Sequence, residues 1–278
     1  MELMQAASSV ALLVFVIAGM LDLGLGLTLR EVLDSLRGAR RVGLALFANF
    51  VLMPAAALGL AWVLRLDRPL GLGLLLLGAS AGAPFLPMLA QAARGNLAYA
   101  AGLMVLLMVL SVAYLPLVLP VLAPGIAVDP AQIARSLVLL MLLPLAVAGI
   151  VRARAPALAA RLKPPLGRLS RLSLILLVVL MLVTSAGDLL ALFGTRGVLA
   201  SLLFVAAGFA CGWLLGGPGE DTRRVLALAT SSRNFAAALV VARSLADPKV
   251  EVLIVVVALV SLLTLIPVAR RLAKRSTP

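Results

Sequence analysis

The residues best placed to do chemistry are Thr230-Ser231-Ser232-Arg233-Asn234, a polar run set between LALA and FAAALVV. A guanidinium carries five N–H donors and keeps its charge, so in apolar surroundings it must face an anion, an acid or free carbonyl oxygens. Two roles are open to Arg233: a fixed positive charge at a substrate crossing, or a cap on carbonyls exposed by a nearby break. Asn234 can donate and accept, and its alternative role is also a cap. A second run, Gly78-Ala79-Ser80-Ala81-Gly82-Ala83-Pro84-Phe85-Leu86-Pro87, places Ser80 beside two prolines that each remove a backbone donor. Asp22 and Asp188 are the other ionisable groups inside apolar segments. Each could carry a proton, act as counter-ion to Arg233 or stand in a wet vestibule.

Much familiar chemistry is missing. The chain has no His and a single Cys, Cys211, which excludes imidazole metal sites, a Ser-His-Asp apparatus and intrachain disulfides. No paired acids or nucleophile-base arrangement sits at a common depth, so the chain does not read as an enzyme. Cys211, among Gly208, Phe209, Ala210 and Gly212, reads as a small packing residue.

The elements that hold these residues follow from composition. Of 278 residues 63% are apolar and 13% charged, far from a soluble domain. Runs long enough to cross a bilayer fall near 7–29, 42–64, 69–93, 97–122, 133–151, 172–192, 198–216, 225–244 and 250–269. Nine spans leave only short loops, and 1–278 reads as one all-α transmembrane domain. Arg233 then lies roughly 14 Å of helix from either end of its span, too deep to snorkel. At that depth an uncompensated Arg costs at least about 2.5–3.5 kcal/mol.

Charge sets the orientation. Seventeen of 24 basic residues fall in alternate loops with the tail, six fall opposite, and Arg233 lies within a span. By the positive-inside rule the N-terminus is expected outside and the C-terminus in the cytoplasm, in a bacterial inner membrane. The net charge of +13 is therefore a topology signal with a pull toward anionic lipid headgroups, not a nucleic-acid surface. The first run, longer than a signal-peptide core and lacking a basic n-region, reads as a retained helix. Trp62 and Trp213 suit interfacial anchoring or packing between helices.

The two polar runs interrupt the third and eighth spans, and a shift of 150 residues superposes them: Ala79 on Ala229, Ser80 on Thr230, Phe85 on Phe235, Leu89 on Leu239. The two spans run in opposite directions. Paired broken helices of opposed direction predict inverted repeats, here 7–122 and 133–269, with a midplane site and transport by alternating access.

With these elements in place the sequence resembles the bile acid:sodium symporter family. The likeness rests on MLDLGLGLTL at 20–29, LALFANFVLMPAAALGLA at 44–61, AQAARGN at 90–96 and SSRNFAAALVVA at 231–242. It implies a core bundle with two crossing broken helices, a smaller moving panel, and a nine-helix form lacking the first helix of ten. It also implies transport of a small organic anion, with membrane lipid as surroundings and no obligate protein partner. The implied cofactor, sodium, fits poorly. The positions that resemble the family's sodium ligands carry Leu86, Pro87, Ala100, Met104, Ala229 and Arg233, and Asn49 alone keeps a side-chain oxygen. A hard cation needs oxygen ligands, so the expectation is transport without sodium, Arg233 supplying the charge. Arsenite or auxin-type carriers, or a non-transporting receptor on the same scaffold, are the alternatives.

Overall fold

A computed structural model describes residues 2–35, 37–122, 129–184, 196–245 and 247–274. Those residues form helices α1 (Glu2–Gly26), α2 (Leu29–Ser35), α3 (Ala39–Val63), α4 (Arg68–Ala79), α5 (Leu86–Ala92) and α6 (Leu97–Leu122). They continue as α7 (Pro130–Arg154), α8 (Pro156–Thr184), α9 (Gly197–Leu215), α10 (Glu220–Ser231), α11 (Phe235–Ser244) and α12 (Pro248–Lys274). Among the described residues there is no strand.

Among the described residues seven helical stretches are long and apolar enough to cross a bilayer: α1, α3, α6, α7, α9, the α10–α11 pair and α12. Two of the nine expected spans are not among them. The span at 69–93 is split by its prolines into α4 and α5, neither long enough to cross alone. The span at 172–192 begins in α8 but runs into residues outside the described ones.

Two bundles emerge from the packing. Helix α1 lies along α8 and α7, and these three form the panel. The other long helices form the core, where α10–α11 is wrapped by its neighbours: 94% of its most apolar stretch is buried, against 56% or less for every other such span. That enclosure is what a polar interruption requires, since lipid would leave its backbone groups unsatisfied. Gly208, Gly212 and Gly216 let α9 press against the α10 backbone. A Cβ on Gly212 would lie 2.4 Å from Leu226 O, and one on Gly208 2.7 Å from Thr230 O.

Proline shapes two further helices. Helix α3 widens to a π turn at Ala48–Leu52 just before Pro54, and α7 does so at Val138–Leu142 just before Pro144. In α3, Met53 N donates to Ala48 O in the i→i+5 register, which aims Asn49 O at the nitrogen of Pro54, where there is no hydrogen. Pro54 likewise denies Phe50 O its ordinary i+4 donor. These two carbonyls need partners from elsewhere in the fold, and the site supplies them.

Candidate functional site

The two broken helices cross: α4 packs against α11 and α5 against α10, so each half meets the opposite half of the other. At the crossing Phe85 and Phe235, the residues just after each break, stack with centroids 5.9 Å apart and planes 7° from parallel.

At the first break, freed carbonyls at the end of α4 find donors from side chains and turns. Ser80 Oγ donates to Leu76 O at 2.7 Å, and Ser80 N to Leu77 O at 3.1 Å. Arg233 adds two more bonds, from Nε to Leu77 O at 2.8 Å and from Nη2 to Gly78 O at 2.6 Å. Beyond the helix end, Asn234 N donates to Ser80 O at 2.9 Å. Ser111 on α6 then holds both main-chain groups of the next residue, accepting from Ala81 N at 2.8 Å and donating to Ala81 O at 3.1 Å. Gly82 has φ +85°, and a Cβ there would lie 2.4 Å from Met108 N, so only glycine lets the unwound segment lie against α6.

Arg233 is wholly buried, and its guanidinium is saturated. Its remaining bonds run from Nη1 to Asn49 Oδ1 at 2.8 Å and to Thr230 O at 3.3 Å, and from Nη2 to Asn49 O at 3.4 Å. Five donors thus meet five acceptors, all neutral oxygens. One of them is the carbonyl freed by Pro54, and the other freed carbonyl, Phe50 O, accepts from Tyr114 Oη at 2.5 Å. Every donor is spent holding the crossing together. The positive charge itself meets no carboxylate among these partners.

The neighbouring hydroxyls turn inward on their own helix. Thr230 Oγ1 donates to Leu226 O, Ser231 Oγ to Ala227 O and Ser232 Oγ to Leu228 O, each four residues back. Asn49 Nδ2 donates to Ala45 O at 2.9 Å and reaches Thr230 Oγ1 at 3.4 Å. Asn234 caps α11, its Oδ1 accepting from Ala237 N at 3.1 Å, while its buried Nδ2 has no hydrogen-bond partner.

Asn49, Ser80, Thr230, Arg233 and Asn234 therefore meet at one point. Pro84 lies in the unwound segment, and Pro87 stands at the second position of α5 and lines a cleft of about 530 Å³. That cleft opens between Gly26, Leu27 and Val32 on one side and Pro87, Gln91 and Ala98 on the other. Asp22 does not pair with Arg233. Its Oδ1 lies 3.4 Å from Lys163 Nζ, near the end of α1, and this exposed pair contributes little to stability. Asp188 falls outside the described residues. Ser111, Tyr114 and Gly82 carry the site's geometry unannounced. The one sequence signal for Ser111 is that a shift of 150 residues places it on Ser261.

Of the positions that resemble sodium ligands, only Asn49 has a side-chain oxygen, and it accepts from Arg233 Nη1. Leu86, Ala100, Met104 and Ala229 are buried apolar side chains. The carbonyls that the break exposes are taken by the guanidinium, so the residues present do not fit a sodium ion.

A family model described as Sodium Bile acid symporter family matches residues 11–192. The chain belongs to that family. The match covers the first break and the panel helices and ends before the Arg233 segment. No curated protein matches the chain. Membership in this family, with seven apolar helices long enough to cross a bilayer, makes the chain a multi-pass membrane protein of a transporter family.

Proposed function

We propose that this chain is a secondary transporter of a small organic anion that works by alternating access, panel against core, without sodium. The observation that carries the reading is the saturated guanidinium at the crossing. Arg233 contributes a permanent positive charge, held by five neutral oxygens and paired with no acid among them. In a low-dielectric interior such a charge attracts an anion through its field even with its donors occupied. A second cation lies beside the cleft: a Cβ built on Gly26 would stand 2.7 Å from Lys163 Nζ. The cleft lies between the end of α1 and helices α5 and α6, where a substrate would enter between the two bundles.

The inverted repeats 7–122 and 133–269 serve this reading, because crossing half-helices related by opposed direction are the usual midplane device of such carriers. The expected placement is the inner membrane, with the N-terminus outside and the cleft toward the cytoplasm. Coupling then falls to exchange, uniport or protons, with Asp22 and Asp188 as the acids available for the last.

The test is uptake of radiolabelled cholate and short carboxylates into proteoliposomes, with sodium present or replaced by choline. Equal uptake in both supports the reading, and strict sodium dependence overturns it. Full uptake by an Arg233→Gln variant would remove Arg233 from the mechanism. Candidate anions are chosen first by thermal shift of the purified protein, each with and without sodium.

A further inference from the structure

One side chain bridges panel and core at the end of the molecule away from the cleft. Arg243, in the last turn of α11, donates through Nη1 to Ser9 Oγ and through Nη2 to Ser8 Oγ at 3.3 Å. Its Nε stands 3.6 Å from Glu251 Oε2, in the first turn of α12. Ser8 and Ser9 belong to the panel, whereas Arg243 and Glu251 belong to the core. Gly26, which lines the cleft, lies 17 residues along α1 from Ser9, roughly 26 Å at the helical rise. The two bundles are thus tied at one end of α1 and parted at the other.

We infer that Arg243 is the clasp of the transport cycle. Its bonds to Ser8 and Ser9 stabilise the state in which the N-terminal end of α1 is shut and the cleft is open, and they break when the panel swings. Glu251 is the clasp's anchor: it stays on the core with Arg243 in both states and retains the guanidinium when the hydroxyls leave. The pairing suits a reversible contact. Neutral hydroxyls bind a guanidinium more weakly than a carboxylate does, so releasing them leaves no bare carboxylate on the panel. This inference rests on the transporter reading, since a clasp has meaning only where two states exchange.

The test uses the full chain with Cys211→Ala and one reporter cysteine at a time. Ala98→Cys reports on the cleft, where Ala98 is exposed. Ala11→Cys reports on the clasped end, being buried one turn from Ser8 on the same helix face. The readout is the labelling rate with a hydrophilic maleimide. In Arg243→Ala the Ala11→Cys rate is expected to rise about tenfold, the population shift produced by about 1.4 kcal/mol, while the Ala98→Cys rate falls. Arg243→Lys shows a smaller change in the same direction. The paired Ser8→Ala and Ser9→Ala substitutions, which leave Arg243 and Glu251 intact, carry the test if Arg243→Ala does not fold. An unchanged Ala11→Cys rate overturns the clasp, and so does a rise with no fall at Ala98→Cys, which would mark mere local loosening. A rise at both reporters together overturns the alternating-access reading itself.

Discussion

Arg233 Nη1 donates to Asn49 Oδ1 at 2.8 Å across 184 residues of chain, and the same guanidinium also reaches the backbone oxygen of Asn49 at 3.4 Å. The residue that occupies a π turn in α3 is thereby tied, through side chain and main chain, to the break between α10 and α11. The relation depends on a proline: Pro54 offers no N–H to the Asn49 carbonyl, which receives the second bond from Arg233 instead.

Arg233 is expected to be a keystone of the fold as well as a charge. Arg233→Met removes five donors and leaves the carbonyls of Leu77, Gly78, Asn49 and Thr230 buried without that partner. The loss should be on the order of 3–5 kcal/mol, read as a lower unfolding temperature of the purified protein. Arg233→Lys should fall between, since an ammonium offers three donors in place of a planar fork of five. An unchanged unfolding temperature in Arg233→Met would mean that the four carbonyls find other donors.

Ser111 and Ser261 offer a sharper comparison, because they stand 150 residues apart, the same offset as the two breaks, but differ in environment. Ser111→Ala strips both main-chain groups of Ala81 of a buried partner and should cost about 1–3 kcal/mol. Ser261 Oγ is buried with no hydrogen-bond partner, so Ser261→Ala should leave stability within about 0.5 kcal/mol of the parent. The difference has a local cause. The first helix unwinds after Ala79, whereas the second, offset by 150 residues, stays helical to Ser231. Equal losses in the two variants would contradict this account.

Tyr114→Phe isolates a single bond. The ring still packs at a tilt against Phe50, at 4.8 Å between centroids, but Phe50 O, denied its i+4 donor by Pro54, loses the hydroxyl it accepts from. A loss of about 1–2 kcal/mol is expected. Restoring the backbone donor with Pro54→Ala in the same chain should recover part of it, and a double variant no better than Tyr114→Phe would rule out the coupling.

Seven long apolar spans among the described residues and the two breaks were legible in the sequence, because apolar length and misplaced Gly, Pro and polar residues are local signals. So was the depth of Arg233. Its partners were not legible, since Leu77 O, Gly78 O and Asn49 O are main-chain atoms whose availability depends on where a helix stops and on a π turn that no side chain announces. The sequence likewise pointed to Thr230, Ser231 and Ser232 as polar groups lining a site. Their hydroxyls instead close back on α10, a choice between solvent, ligand and own backbone that only packing decides. Asp22 could be recognised as an acid at a span's end, but its pairing with Lys163 rests on how α8 lies along α1.

Two glycines test whether the unwound segment is held by shape. Gly82→Ala places a Cβ 2.4 Å from Met108 N at a φ of +85°, against backbone that cannot turn aside. Strain at that φ costs on the order of 1–2 kcal/mol, and the collision adds to it, so the variant should fold poorly or lose Ser111's grip on Ala81. Gly59 is the control: it lies inside α3 with nothing within 4 Å of a Cβ. Gly59→Ala should therefore stabilise the protein by about 0.4–1 kcal/mol, through a less flexible unfolded chain. Unfolding temperatures moving in opposite directions are the expected result. If Gly82→Ala were as benign as Gly59→Ala, the first break would have to be loose against α6, and the pairing of Ser111 with Ala81 could not hold the crossing.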